Sequence, residues 1–96
     1  MRQKLTDVQL QEALAELSGW EVKEGKLHKT FKFASFAQAM GWMVAVGFLA
    51  DKMDHHPEWS NVYNRVEVNL VTHDLDNEIS NLDIELAQVM EEMAEL

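Results

Sequence analysis

The sequence predicts an α+β domain: an antiparallel β-sheet with three α-helices packed on one face. Three observations carry that expectation. Helix-capping residues at Thr6, Ser35 and Ser80 each precede a segment with helical apolar spacing. A Glu24-Gly25 pair sits between two alternating runs, the signature of a hairpin. From Asn61 to His73 the apolar pattern switches to period two. The resulting order, helix, two strands, helix, strand or strands, helix, fits an antiparallel sheet with its helices gathered on one side.

Thr6 and Gln9 form the first capping box, with Leu5 and Leu10 as its hydrophobic staple. Leu10, Leu14 and Leu17 mark the buried face of this helix, and Gly19 ends it. The hairpin follows, Trp20 to Lys23 and Lys26 to Phe33. Alternation puts Leu27, Phe31 and Phe33 on one face and His28, Thr30 and Lys32 on the other. A lone histidine on such a face is read as an ordinary surface residue.

Ser35 and Gln38 repeat the box spacing and open a second helix with two apolar stripes. One stripe holds Phe36, Met40, Met43, Val44 and Gly47; the other holds Trp42, Val46, Leu49 and Met53. A helix packed on its own sheet needs one stripe, so the second predicts a partner subunit. The alternative is a helix buried on all sides within one subunit. In the period-two run, Val62, Val66, Val68 and Leu70 face one way, and Tyr63, Arg65, Glu67 and Asn69 the other. That reads as one long strand with one buried face. Ser80 caps the last helix, with Ile79 and Ile84 as its staple and Leu82, Leu86, Val89, Met93 and Leu96 at core spacing.

Residues 1–96 read as one domain, too short for two cores. There is no cysteine, which rules out disulfides and thiolate zinc sites. With no signal-like start, a cytoplasmic location is expected. The uncharged stretch Phe33 to Ala50 is interrupted by Ser35, Gln38, Gly41 and Gly47, which argues against a membrane span. The net charge of −9 lies wholly in the last 31 residues, which hold nine acids and no base. Such a chain repels phosphate backbones, so direct nucleic-acid binding is disfavoured. The acidic end is read as the solvated face of the last helix.

The segment Asp51 to Trp59, DKMDHHPEW, carries the chemistry. Pro57 pushes His56 out of helical geometry, so the second helix is expected to end near His55. Imidazoles donate and accept protons near neutrality, and a third, His73, closes the predicted strand. Spacing alone leaves these histidines balanced between function and plain structure. A zinc or iron site built from histidine with Asp51 or Asp54 competes. It is disfavoured because adjacent residues in extended chain point apart and no H-x-x-x-H or E-x-x-H pair is present. Nucleophilic catalysis lacks a cysteine, a G-x-S-x-G elbow and a Gly-rich phosphate loop. Trp59 and Tyr63 flank the pair and could equally be stacking groups or ordinary aromatics. Asp83, three residues after Ser80, reads first as a helix cap.

Taken together, these residues resemble the pterin-4a-carbinolamine dehydratases, the family that includes the dimerisation cofactor of a hepatocyte homeodomain factor. The resemblance covers nearly the whole chain. It is most specific in an acid, three intervening residues, then His-His-Pro-Glu-Trp, followed by Asn-Val-Tyr-Asn-Arg-Val, with a Thr-His pair and a downstream Asp. It implies removal of water from 4a-hydroxytetrahydrobiopterin, recycling the cofactor of aromatic amino-acid hydroxylases such as phenylalanine hydroxylase. No metal or organic cofactor is implied. It makes His55, His56 and His73 the catalytic residues, with Asp51, Pro57, Trp59, Tyr63 and Asp83 binding or orienting. Self-association to a homodimer or homotetramer through the 35–53 helix is expected. The same helix could instead serve a non-catalytic binding module, as in the family's transcriptional role. Three positions depart from the family pattern: Asp51 replaces a longer Glu, residues 74–79 replace a Gly-rich turn, and Leu82 stands where a basic residue is usual.

Overall fold

The computed structural model describes residues 2–96. Helix α1, Asp7–Glu16, starts at the predicted capping box: Gln9 N–H donates to the Thr6 hydroxyl, and the Thr6 amide donates back to the Gln9 side chain. Strands β1, Glu21–Lys23, and β2, Lys26–Lys32, are joined by Glu24 and Gly25, both at positive φ. Two consecutive positive-φ residues make the kind of turn that matches strand twist. Helix α2 runs Phe36–Lys52, and strands β3, Glu58–Val62, and β4, Arg65–Leu70, follow it. A 3₁₀ turn at His73–Leu75 leads to α3, Asn81–Ala94. The sheet is antiparallel throughout, in the order β1-β2-β4-β3.

The expected long strand over 61–73 is instead a hairpin that turns at Tyr63-Asn64. Val62 pairs with Arg65 across it. A two-residue turn reverses side-chain parity, so Val62 shares the outer face with Arg65 and is exposed, while Val66, Val68 and Leu70 are buried. The turn is built from side-chain amides. Asn61 donates to the carbonyls of Tyr63 and Arg65, and Asn64 donates to that of Phe33. Tyr63 itself adopts φ +54°.

The inner face of the sheet packs against α2 through an aromatic cluster. Trp42 lies 4.6 Å from Phe31, 5.1 Å from Phe33 and 6.0 Å from Trp59, between ring centroids. Its indole donates to the Met90 carbonyl, tying α2 to α3. Lys29 also points inward. Its ammonium reaches Glu91 on α3 at 2.6 Å, beside the Trp20 indole that donates to the same carboxylate. Ala39, Trp42, Val46 and Ala50 bury one face of α2, whereas Phe36, Met40, Val44 and Phe48 remain exposed in the single chain. The second helix is therefore not enclosed within one subunit, and a stripe at i, i+4 spacing faces outward.

His28, read as a surface residue, is buried. Its Nδ1 stands 2.9 Å from the side-chain oxygen of Asn69, its partner across β2 and β4. The outer face is polar yet shielded here by neighbouring strands, a cross-strand effect that alternation along one strand does not reveal.

Candidate active site

The end of α2 sets the direction of the histidine pair. The helix stops at Lys52, with Met53 as its C-cap, three residues before the expected end at His55. Asp54 adopts φ +53°, its N–H donates to Asp51 O, and His55 N–H donates to Ala50 O. These two bonds form a Schellman closure with an aspartate in the left-handed position where glycine is usual. The helix thus ends because the backbone reverses at Asp54, before Pro57 can act. His55 is the first residue past that reversal and is directed inward, 5% exposed.

Each of the three histidines meets a carboxylate through Nε2. His55 lies 2.5 Å from Asp83 Oδ1, His56 lies 3.2 Å from Asp51 Oδ1, and His73 lies 2.9 Å from Glu58 Oε2. A nitrogen facing a carboxylate carries the proton, which leaves Nδ1 of each ring as the second functional nitrogen. The pairs are interlinked. Thr72, next to His73, donates to Asp83, the partner of His55. Glu58, two residues beyond His56, holds His73.

Asp83 serves two structures at once. Its Oδ2 accepts from the Ser80 amide and the Thr72 hydroxyl, completing the α3 capping box, while Oδ1 takes His55. Asp83, Thr72 and Ser80 are all fully buried, and the Thr72 and Ser80 hydroxyls bond each other. Asp83 therefore caps α3 with one oxygen and holds the His55 ring with the other.

Glu58 also accepts from Lys26. The His73 bond first, and the Lys26 bond after it, hold the Glu58 carboxyl below its ordinary range.

The remaining expected residues divide. Asp51 and Pro57 stand at the histidines. Trp59 begins on the same strand as Glu58 but turns inward onto Trp42. Tyr63 is exposed at the far end of β3, about 16 Å from Glu58 along the strand at roughly 3.3 Å per residue, so the chain does not bring it to the histidines. Among the described residues, no three His, Asp or Glu side chains are grouped as ligands for one ion. Three contributors were missed from sequence: Glu58, Thr72 and Ser80. Glu58 had a signal, since it lies in the DHHPEW run and its even spacing from His56 suits a shared edge. Thr72 and Ser80 act only through the folded contact with Asp83.

The family model for pterin 4 alpha carbinolamine dehydratase matches residues 3–93. This chain belongs to that family. A protein from Jannaschia sp. named "Putative pterin-4-alpha-carbinolamine dehydratase" is 52% identical, covering 99% of this chain and all of its own length. One of the same name from Novosphingobium aromaticivorans is 51% identical, over 92% of this chain and 93% of its own. The crystal structure of a transcriptional coactivator/pterin dehydratase from Brucella melitensis superposes with a TM-score of 0.90 at 42% identity, covering 96% of this chain and 99% of that one. The dehydratase family and the α+β fold expected from sequence are thereby established.

Proposed function

We propose that this chain is a 4a-hydroxytetrahydrobiopterin dehydratase working in the cytoplasm by histidine acid–base catalysis. The observation that carries the reading is the repeated pairing of imidazole Nε2 with a carboxylate, at His55, His56 and His73. Each carboxylate fixes its ring's orientation through Nε2, leaving Nδ1 to exchange protons with a ligand.

The chemistry needs both directions of transfer. The bond from C4a to its hydroxyl oxygen breaks with both electrons leaving on oxygen. An imidazolium protonates that oxygen, so the leaving group is water. A neutral imidazole takes a proton from a ring nitrogen, and the electron pair released forms the double bond of the quinonoid dihydropterin. The two rings end with exchanged protonation states and re-equilibrate through solvent. His55 and His73 carry these two transfers, His56 contacts the pterin ring, and Asp83, Asp51 and Glu58 hold the three rings. The reading needs no metal and no organic cofactor, the pterin being the substrate. Its product returns to the reductive recycling that serves an aromatic amino-acid hydroxylase.

The exposed stripe Phe36, Met40, Val44 and Phe48 supports self-association through the 35–53 helix, as a homodimer or homotetramer. Light scattering tests this, and a clean monomer refutes it. The same stripe suits a second reading, a non-catalytic protein-binding module, and the Brucella structure's description names a transcriptional coactivator as well. Direct assay of 4a-hydroxytetrahydropterin dehydration separates the two. Activity that disappears in His55→Ala and His73→Ala supports the enzyme; undiminished dehydration in both variants refutes the histidine mechanism.

A further inference from the structure

Arg2 lies outside the family-matched residues, yet it touches both segments that carry the histidines. Its Nη2 donates to the Asp54 carbonyl at 2.6 Å, and its Nε stands 3.3 Å from the Asp74 carboxylate. Asp54 is the left-handed residue whose reversal directs His55 and His56. Asp74 directly follows His73 in the 3₁₀ turn. We propose that Arg2 is a positioning residue, a guanidinium clamp that holds the His73 segment in register with the His55-His56 segment. This rests on the dehydratase reading for its consequence in catalysis, but the clamp itself is independent of it.

Three features make the clamp a built one. The chain leading to it is pinned: Leu5 N–H donates to Ile79 O, Asn81 N–H donates to Gln3 O, and Gln3 N–H donates to the Asn81 side chain. That short pairing fixes Arg2 relative to the start of α3, whose Asp83 holds His55. Second, Arg2 Nε is buried, and Asp74 is its ionic neighbour although out of line for a hydrogen bond. Third, a non-glycine residue at positive φ is intrinsically unfavourable, and the bond to its carbonyl favours the reversed backbone at Asp54. Only a planar fork reaches a carbonyl and a carboxylate on separate segments at once; a lysine ammonium supplies the charge without the span.

The test compares Arg2→Ala, Arg2→Lys and the control Lys4→Ala. Lys4 is on the same segment, but its ammonium pairs with Glu78, on neither histidine segment. Amide hydrogen exchange reads the clamp directly at His55 N–H and Leu75 N–H, one on each segment. In Arg2→Ala both amides are expected to exchange faster together, with α3 core amides such as that of Met90 unchanged. Arg2→Lys should resemble Arg2→Ala, and Lys4→Ala should resemble the parent. In the dehydration assay kcat should fall about tenfold in both Arg2 variants with KM little changed, because misplacing the rings costs the reaction more than it costs binding. Unchanged exchange at either reporter amide, or full rescue by lysine, overturns the clamp. A parent protein inactive in dehydration counts against the dehydratase reading instead, and the exchange comparison still decides the clamp.

Discussion

The pairs His55–Asp83 and His73–Glu58 use the same chemistry in opposite settings. Asp83 is fully buried, with both its oxygens engaged, by His55 on one and by Thr72 and the Ser80 amide on the other. Glu58 is 39% exposed, and His73 is 58% exposed. The buried pair is welded to the start of α3 and is part of what folds the protein. The open pair sits at the start of β3, where solvent reaches it. Of the three imidazoles, His55 is thus enclosed and His73 and His56 are accessible, the latter paired with the exposed Asp51. Burial fixes the direction of the His55 ring, and exposure leaves His73 and His56 open to solvent.

From that contrast, the largest stability effect belongs to Asp83→Ala. It strips a buried imidazole of its partner, leaves the Thr72 hydroxyl short of an acceptor and removes half of the α3 cap. Breaking a buried pair costs about 3–5 kcal/mol, a large part of a small domain's margin. Urea unfolding should show this, while Asp51→Ala on the exposed pair should stay within about 0.5 kcal/mol. Equal losses in the two variants would erase the distinction between the pairs.

Catalysis should divide differently. Losing a proton-transfer group costs roughly 10²–10⁴-fold, so His73→Ala and His55→Ala should each lower kcat by about 10²-fold or more. Only His55→Ala should also shift the urea midpoint, since only that ring is buried. A His73→Ala protein that unfolds as readily as His55→Ala would show that the open pair is structural too.

Thr72→Val is a finer probe of the buried pair. The side chain keeps its shape and loses the hydroxyl that joins Asp83 to Ser80. Leaving buried acceptors short of a donor costs about 1–3 kcal/mol. The loss should be smaller in an Asp83→Ala background, where the acceptor is already gone. Additive losses in that double variant would mean that Thr72 does not act through Asp83.

Much of this was legible in the sequence because its determinants are local. Thr6 with Gln9, and Ser80 with Asp83, formed the boxes their spacing predicts. Ser35 caps α2 as expected, but Gln38 takes the Ala34 amide in place of Ser35's own, a one-residue shift that spacing cannot resolve. The β3–β4 hairpin was hidden because Tyr63-Asn64 is not a glycine turn; its stability comes from Asn61 and Asn64 side chains bonding backbone that only the fold brings near. The end of α2 was placed late because Pro57 is a visible breaker and a left-handed aspartate is not. His28 and Thr72 became buried through neighbours on other strands and at the start of α3. Histidine spacing alone left the candidate site undecided and the family resemblance singled it out; which acid each ring would take was a tertiary fact.

The smallest effect tests the open pair by pH. Because the folded Glu58 carboxyl lies below its ordinary value of 4.5, its pairing contributes stability above that pH, and the contribution disappears as pH falls through the folded value. Glu58→Gln should therefore be slightly less stable than the parent near neutrality, by under about 1 kcal/mol for so exposed a pair. The two stability curves should converge in acid, once pH has fallen through the folded value below 4.5. Raising salt should narrow the gap at neutral pH, because solvent-exposed charges are screened, while leaving the Asp83→Ala loss nearly unchanged. A salt-insensitive Glu58→Gln gap would place this pair with the buried one and remove the physical reason for treating His73 as the accessible ring.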